Sequence, residues 1–381
     1  MMAVVTRRTL LKTLGCFVAA ASVGSILSYW HLHQPTAEKT GSTITVVDTA
    51  GREVTLPYPV KSCVVGDDSI AELIQVLGAE DTIIGVEDSI PKRGYFPKLE
   101  DKPPIGNQWR GLNYELIAEL NPDVVIVYGN LKHVEQILGK LEEIGIKTLC
   151  VDPSVVDGPR TKSIEILGKI FGREEFAEKF MAWRGKLLTQ LGERLAGLKE
   201  EEKVNAYLAM GMGKLSGDKL PTKAYGGKHA HIVTIEEWAK IENIVSKVLP
   251  ESHSGKVDLE WIAEENPDML IIGVWSSGRE WDLTGYYVTD PSAPAKYINS
   301  LMANEVLKQT KAVKNGRVFL IDHLLTGTRP EVGAFYLAKA AYPSRMEGID
   351  PEEIHREYFE SWLRVKYQGI WFYPQRWKGD A

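Results

Sequence analysis

The chain is poor in the residues that carry most covalent and metal chemistry. It has 3 cysteines in 381 residues, Cys16, Cys63 and Cys150, and no Cys-x-x-Cys pair. That excludes a disulfide framework and a four-cysteine zinc or iron–sulfur site. Cys63 and Cys150 lie in apolar runs and read as small core residues. An excess of positive charge is also missing: 45 Lys and Arg face 51 Asp and Glu, a net charge of −6, so nucleic acid is not expected as a partner. No phosphate-binding glycine loop, nucleophile elbow or His-Glu-x-x-His helix occurs. Gly211-Met212-Gly213-Lys214 has the glycines of a phosphate loop without its spacing. No cofactor-binding pattern is present, and the expectation is a binding protein, not an enzyme. The one long apolar stretch, Leu14 to Tyr29, sits at the lower length limit of a membrane span.

That stretch follows Thr6-Arg7-Arg8-Thr9-Leu10-Leu11-Lys12. A basic segment ahead of an apolar one is the pattern of an export signal, and the Arg pair resembles a twin-arginine signal. Residues 1–36 are therefore expected to be an export signal or an N-terminal anchor on the cytoplasmic membrane. The working protein belongs outside that membrane, in the periplasm or its equivalent.

What the chain has is a phrase used twice. Glu115-Leu116-Ile117-Ala118-Glu119-Leu120-Asn121-Pro122-Asp123 returns as Glu260-Trp261-Ile262-Ala263-Glu264-Glu265-Asn266-Pro267-Asp268, 145 residues later. An apolar run follows each copy, Val124 to Tyr128 and Met269 to Val274. Proline cannot extend a helix and biases its predecessor to extended geometry, so each copy reads as a short helix, a stop and a buried strand. The spacing is that of a domain, not of a solenoid.

Strands and helices alternate on both sides of a long amphipathic stretch, Ser163 to Leu198, which Gly172-Arg173 is placed to bend. The expected fold is α/β: two Rossmann-like lobes with mostly parallel sheets joined by a single long α-helix. The N-terminal lobe is set at residues 37–160, the helix at 161–200 and the C-terminal lobe at 201–381. Helices are expected over Ile235 to Ile244 and Pro351 to Val365, and a loop over Gly211 to His231. The aromatic tail, Trp371, Phe372, Tyr373 and Trp377, should pack on a lobe.

Ligands of open α/β sheets sit beyond the carboxyl ends of strands. That rule selects Tyr95, Trp109, Arg110 and Tyr128 in the first lobe, with the Gly66-Asp67-Asp68 turn. In the second it selects Tyr225, His229, Trp275, Arg279 and Arg329. Aromatic rings offer flat apolar walls, and Arg offers a planar fork for carboxylate, catecholate or hydroxamate oxygens. His229 and His231, with His253 further on, are weak candidates for a metal bond; the plainer reading is a polar loop at the cleft rim.

Several segments resemble one family. They are the hairpin Asp48-x-x-Gly51-Arg52-Glu53-Val54, the run Leu77-Gly78-Ala79-x-Asp81-x-Ile83-Ile84-Gly85-Val86, both copies of the phrase, and Tyr336-Leu337-Ala338-Lys339 with Pro343 and Ile349-Asp350-Pro351. Together they resemble the periplasmic-binding-protein family of ABC importers for iron–siderophore, haem and cobalamin. The resemblance implies little hinge motion and a metal chelate between the lobes. A ferric siderophore is the first expectation, with corrinoid or haem as the alternative and a metal-cluster enzyme or a sensory domain as distant ones. Its implied partners are a permease dimer and ATPase subunits. Trp109-Arg110-Gly111-Leu112-Asn113-Tyr114-Glu115 is similar to a stretch of vitamin-B12-binding proteins, which implies a pocket role for Trp109 and Tyr128. It also implies permease docking by Glu115 and, in the second copy, Glu260. Ser254 stands where that pattern wants another aromatic.

Overall fold

The structure, a computed structural model, describes residues 41–378. The expected export segment lies outside them. No helix among the described residues is long and apolar enough to cross a membrane.

The chain opens with an antiparallel hairpin, β1 (Thr43–Val47) and β2 (Glu53–Pro57). β3 (Cys63–Val65), α1 (Asp68–Val76) and β4 (Ile83–Val86) begin the first lobe. A tight ribbon, β5 (Gly106–Asn107) and β6 (Gly111–Leu112), precedes α2 (Tyr114–Leu120), β7 (Val124–Tyr128), α3 (Val134–Glu143) and β8 (Thr148–Val151). The sheet runs β4-β3-β7-β8, all parallel. Every residue of β7 is buried, as an apolar run in the middle of a parallel sheet requires. α3 buries Val134, Ile137, Leu138 and Leu141, one stripe at helical spacing.

The helical stretch between the lobes is two helices, not one. α4 (Gly158–Phe171) ends at Gly172, whose left-handed φ of 62° caps it, and α5 (Glu174–Leu195) starts afresh. The apolar spacing carries across the break, which is why the sequence reads as a single helix. α5 turns Ala177, Phe180, Leu187, Leu191 and Leu195 inward.

The second lobe contains β9 (Asn205–Gly211), β10 (Lys223–Tyr225), β11 (Glu242–Asn243), α6 (Ile244–Val248), β12 (Ser254–Lys256), α7 (Leu259–Glu265) and β13 (Met269–Val274). Then come α8 (Ser292–Met302), α9 (Lys311–Lys314), β14 (Val318–Asp322), α10 (Pro330–Ala341), α11 (Pro351–Glu357) and β15 (Phe372–Tyr373). Its centre, β9-β13-β14, is parallel, and β10, β12 and β15 flank it antiparallel. The loop expected over Gly211 to His231 thus contributes a strand, β10, which lies between β9 and the edge strand β12. The helix expected over Ile235 to Ile244 is one wide turn, Val233–Trp238, broken at Lys240 with φ 57°. Glu242 and Asn243 then pair with Asn205 and Ala206 of β9, so sheet hydrogen bonding overrides helix propensity there.

Both Asn-Pro-Asp stops work alike. Asn121 and Asn266 take left-handed φ values of 44° and 51° as the caps of α2 and α7, a conformation that asparagine tolerates better than most residues.

One hydrophobic core runs beneath both lobes. It joins Cys63, Val65 and Ile126 of the first sheet, Ile164 and Phe180 of the connecting helices, and Leu208, Ile271 and Phe335 of the second lobe, with the tail residues Trp371 and Phe372. Within it Glu72 of α1 and Arg329, which caps α10, form a two-pronged ion pair at 2.8 Å and 2.8 Å, and Tyr358 donates to the same carboxylate at 2.7 Å. Arg160 of α4 and Arg184 of α5 both bond Glu331 of α10. The lobes are thus joined through packed helices and buried ion pairs.

Candidate functional site

A cleft of about 880 Å³ opens between the lobes at the carboxyl ends of β3, β4, β7, β9 and β13. The first lobe supplies Asp67, Asp68, Glu87, Arg93, Trp109, Arg110 and Tyr128; the second supplies Met210, His229, His231, Trp275, Arg279 and His323.

The aromatic side of the first lobe is built from the β5–β6 ribbon. A Cβ on Gly106, with φ 87°, would stand 2.5 Å from the carbonyl oxygen of Gly111, so only glycine closes this turn. Gln108, fully buried, pins the ribbon down. Its side-chain oxygen accepts from the Tyr128 N–H at 3.0 Å, and its carbonyl accepts from His133 Nε2 at 2.7 Å. Trp109 is thereby held 56% exposed at the cleft mouth, with its ring 5.9 Å from that of Tyr128 and tilted by 50°. Tyr128 is buried except at its cleft face, and its hydroxyl belongs to a chain. Ser154 bonds Tyr128 at 2.6 Å, Tyr128 bonds Ser69, and Ser69 donates to Asp67 Oδ1 at 2.7 Å. Asp67 also caps α1, accepting from the Ser69 N–H at 3.0 Å. Burial, and then the neighbouring Asp68, push the Asp67 carboxyl up to about 7.

On the second lobe Trp275 stacks on His323, centroids 4.4 Å apart. Arg279 lies over the Trp281 ring at 5.2 Å and faces Asp282 at 3.4 Å. His229 Nδ1 accepts the His231 N–H at 3.2 Å, which places its ring proton on Nε2. Thr326 donates to the His323 carbonyl at 2.9 Å, so its oxygen is left to accept from His231 Nδ1, also at 2.9 Å. Burial holds both imidazoles neutral, lowering His229 to about 2 and His231 to about 3. No group of three His, Cys, Asp or Glu arranged to hold a metal ion occurs among the described residues.

The cleft brings together six of the predicted ligand residues, Trp109, Arg110, Tyr128, His229, Trp275 and Arg279, and the metal candidate His231. Three others lie outside its lining. Arg329 is fully buried; its guanidinium is spent on Glu72 and is enclosed by Tyr95, Phe359 and Trp371 at 4.6–4.7 Å. Tyr95 is a core ring, 4.6 Å from Phe96 and 5.7 Å from Phe359. Tyr225 sits behind His229 with ring edges in contact at 4.4 Å. His253 is exposed, and Ser254 lies in β12. Glu115 and Glu260 are both exposed in the first turns of α2 and α7.

Glu87, Arg93, Met210 and His323 were not anticipated. Glu87 follows β4 and His323 follows β14, so the strand-end rule marks both. Nothing local marks Arg93. It bonds Asp68 in its own lobe and the Ser276 carbonyl in the other, a pairing that exists only once the lobes are assembled.

Two α/β lobes on one core, with an aromatic and polar cleft between them, define the architecture of a ligand-binding protein. The chain belongs to the periplasmic binding protein family, whose profile matches residues 63–324. It is similar to the molybdate-binding protein MolA of Haemophilus influenzae, with 23% identity over 85% of this chain and 92% of that one. It is also similar to the petrobactin-binding protein YclQ of Bacillus subtilis, 24% identical over 72% of this chain and 78% of the relative. Among solved structures, the TroA-like periplasmic binding protein FepB of Veillonella parvula matches with a TM-score of 0.73, at 24% identity, over 86% of this chain and 99% of that one. The molybdate-bound structure of MolA matches with a TM-score of 0.68, at 19% identity, over 86% and 99%. These structures share the fold, and the family is one of binding and transport.

Proposed function

We propose that this chain is the extracytoplasmic substrate-binding component of an ABC importer and that its cleft captures a metal chelate, a ferric siderophore first. The supporting observation is the cleft itself: about 880 Å³ between Trp109 and Tyr128 on one side and Trp275 on the other. That volume suits a ligand of drug size or larger. Relatives named for molybdate and for petrobactin point to ligands of very different size, and the volume favours the larger. The inner cations agree: Arg93 is paired with Asp68 and Arg279 with Asp282, so neither is set aside for a bare oxyanion. Trp109, Arg110, Tyr128, His229, Trp275 and Arg279 are the proposed ligand contacts. Glu115 and Glu260 are the proposed contacts to a permease pair. Haem or a corrinoid is the alternative ligand, since either would use the same flat walls.

The test is calorimetry with a panel of ferric hydroxamate, catecholate and carboxylate siderophores, haemin, cobalamin and molybdate. Micromolar or tighter binding of one ferric siderophore is expected. Binding of molybdate alone, or of no chelate at all, overturns the reading.

A further inference from the structure

A second, much smaller cavity adjoins the cleft and shares Arg93, Ser276 and Arg279 with its lining. It measures about 20 Å³. It lies on the seam between the lobes, where Arg93 and Tyr95 from the segment after β4 meet Arg279 and Asp282 from the loop after β13. The seam is tight. A Cβ on Gly278, with φ 73°, would stand 2.2 Å from the Lys92 carbonyl oxygen, so only glycine lets the two backbones approach.

Four buried side-chain atoms of these lining residues make no hydrogen bond in the protein: Arg93 Nε and Tyr95 Oη, and Arg279 Nε and Asp282 Oδ1, which face each other at an ion-pair distance of 3.4 Å. A buried polar atom left without a hydrogen bond is costly, and four on residues that line one small cavity call for an occupant. Their chemistry selects it. Two guanidiniums exclude a cation. Each guanidinium already faces a carboxylate, Arg93 at Asp68 and Arg279 at Asp282, so the charge is balanced and no anion is needed. Two atoms carry N–H donors, one is an acceptor, and the phenol is either. A water molecule has two donor and two acceptor sites, and it needs about 10–15 Å³ on the same measure.

We propose that one ordered water fills this cavity and is part of the fold. It accepts from Arg93 Nε–H and Arg279 Nε–H and donates to Asp282 Oδ1 and Tyr95 Oη. It thereby fastens the seam and holds both arginines at the edge of the cleft. The water site stands whatever the cleft binds. The consequence for ligand affinity rests on the reading of the cleft given above.

The test is a crystal structure of the unliganded wild-type protein at a resolution that orders solvent, with a parallel bromide soak. One solvent peak within hydrogen-bond distance of all four atoms, with no anomalous signal, is expected. Bromide in the cavity, or side chains that close on one another and leave no solvent, overturns the proposal. Tyr95→Phe keeps the ring and removes one arm of the water. Its melting temperature is expected to fall, and its affinity for whichever panel chelate the wild type binds is expected to weaken several-fold. Wild-type melting and affinity in that variant would overturn the fastening role. If the solvent peak is present and no panel chelate binds, the chelate reading fails and the water site stands.

Discussion

Asp123 and Asp268 hold the two copies of the repeated phrase in place by the same pair of contacts. The N–H of Asp123 donates to the Ser62 carbonyl at 3.0 Å, and its carboxylate accepts the Ser62 N–H at 3.1 Å. The N–H of Asp268 donates to the Asn205 carbonyl at 3.0 Å, and its carboxylate accepts the Asn205 N–H at 3.3 Å. Ser62 and Asn205 each stand at the start of the strand that pairs with the one leaving the phrase. The aspartate therefore sets a strand's register as well as ending a turn. The duplicated words encode a duplicated strand pairing, which leads from β3 and β7, and from β9 and β13, to the cleft.

Arg329 is expected to matter for stability and not for ligand contact. Arg329→Met strands the Glu72 carboxylate in the core, and breaking a buried pair from one side costs about 3–5 kcal/mol. Urea denaturation should show a loss of that order, while the folded fraction binds its chelate as the wild type does. A stable variant with abolished binding would return Arg329 to the site.

Trp109 offers the converse case. It is exposed at the cleft mouth, so Trp109→Ala should leave the melting temperature unchanged. Affinity for the chelate should fall by about 1–3 kcal/mol, the cost of losing an aromatic anchor. Titration calorimetry on wild type and variant decides it, and equal affinities would remove Trp109 from the contact surface.

Glu115 and Glu260 favour their helix starts, where a carboxylate meets exposed N–H groups, and that role alone would account for both. Docking predicts something more. With both changed to Gln, ligand affinity should hold while uptake and permease-stimulated ATP hydrolysis drop, because such charges steer orientation and association rate. Normal transport by the double variant would leave only the helix-start role.

The histidine pair gives a pH signature. Unfolded, His229 and His231 take up protons below about pH 6.5. Folded, burial delays this to about 2 and about 3. Between those limits the unfolded chain binds more protons, so stability falls as pH falls. Asp67, raised to about 7, acts in the opposite sense, since the folded protein holds its proton longer. The His229→Gln/His231→Gln variant isolates the imidazoles. Its stability relative to wild type, from urea midpoints between pH 7.5 and 5, should improve on acidification; a constant difference would show that they titrate normally.

Much of this was legible in the chain. Strand and helix alternation, the two Asn-Pro-Asp stops and the aromatics at strand ends are local signals, and local signals survive in sequence. Tyr128 and Trp275 follow apolar strand runs, so the strand-end rule finds them. Arg329 obeys the same rule and lies in the core, because its partner Glu72 is 257 residues away and no spacing reveals that pair. Arg93 is the mirror case, a cleft residue whose role depends on a carbonyl 183 residues distant. The break at Gly172 was hidden for another reason: both helices keep the same buried stripe, and a glycine that caps one helix looks like a glycine that merely bends it.

The core that runs without interruption beneath both lobes also limits how the cargo can leave. A jaw built on a loose joint opens by itself and loses what it carries. Here the jaws share one foundation, riveted by Glu72 with Arg329 and by Glu331 with Arg160 and Arg184. Prising them apart means disturbing a core that both lobes share and the buried ion pairs within it. On the function proposed above, the protein is then a courier with a stiff grip, and the work of unloading falls to whatever receives it.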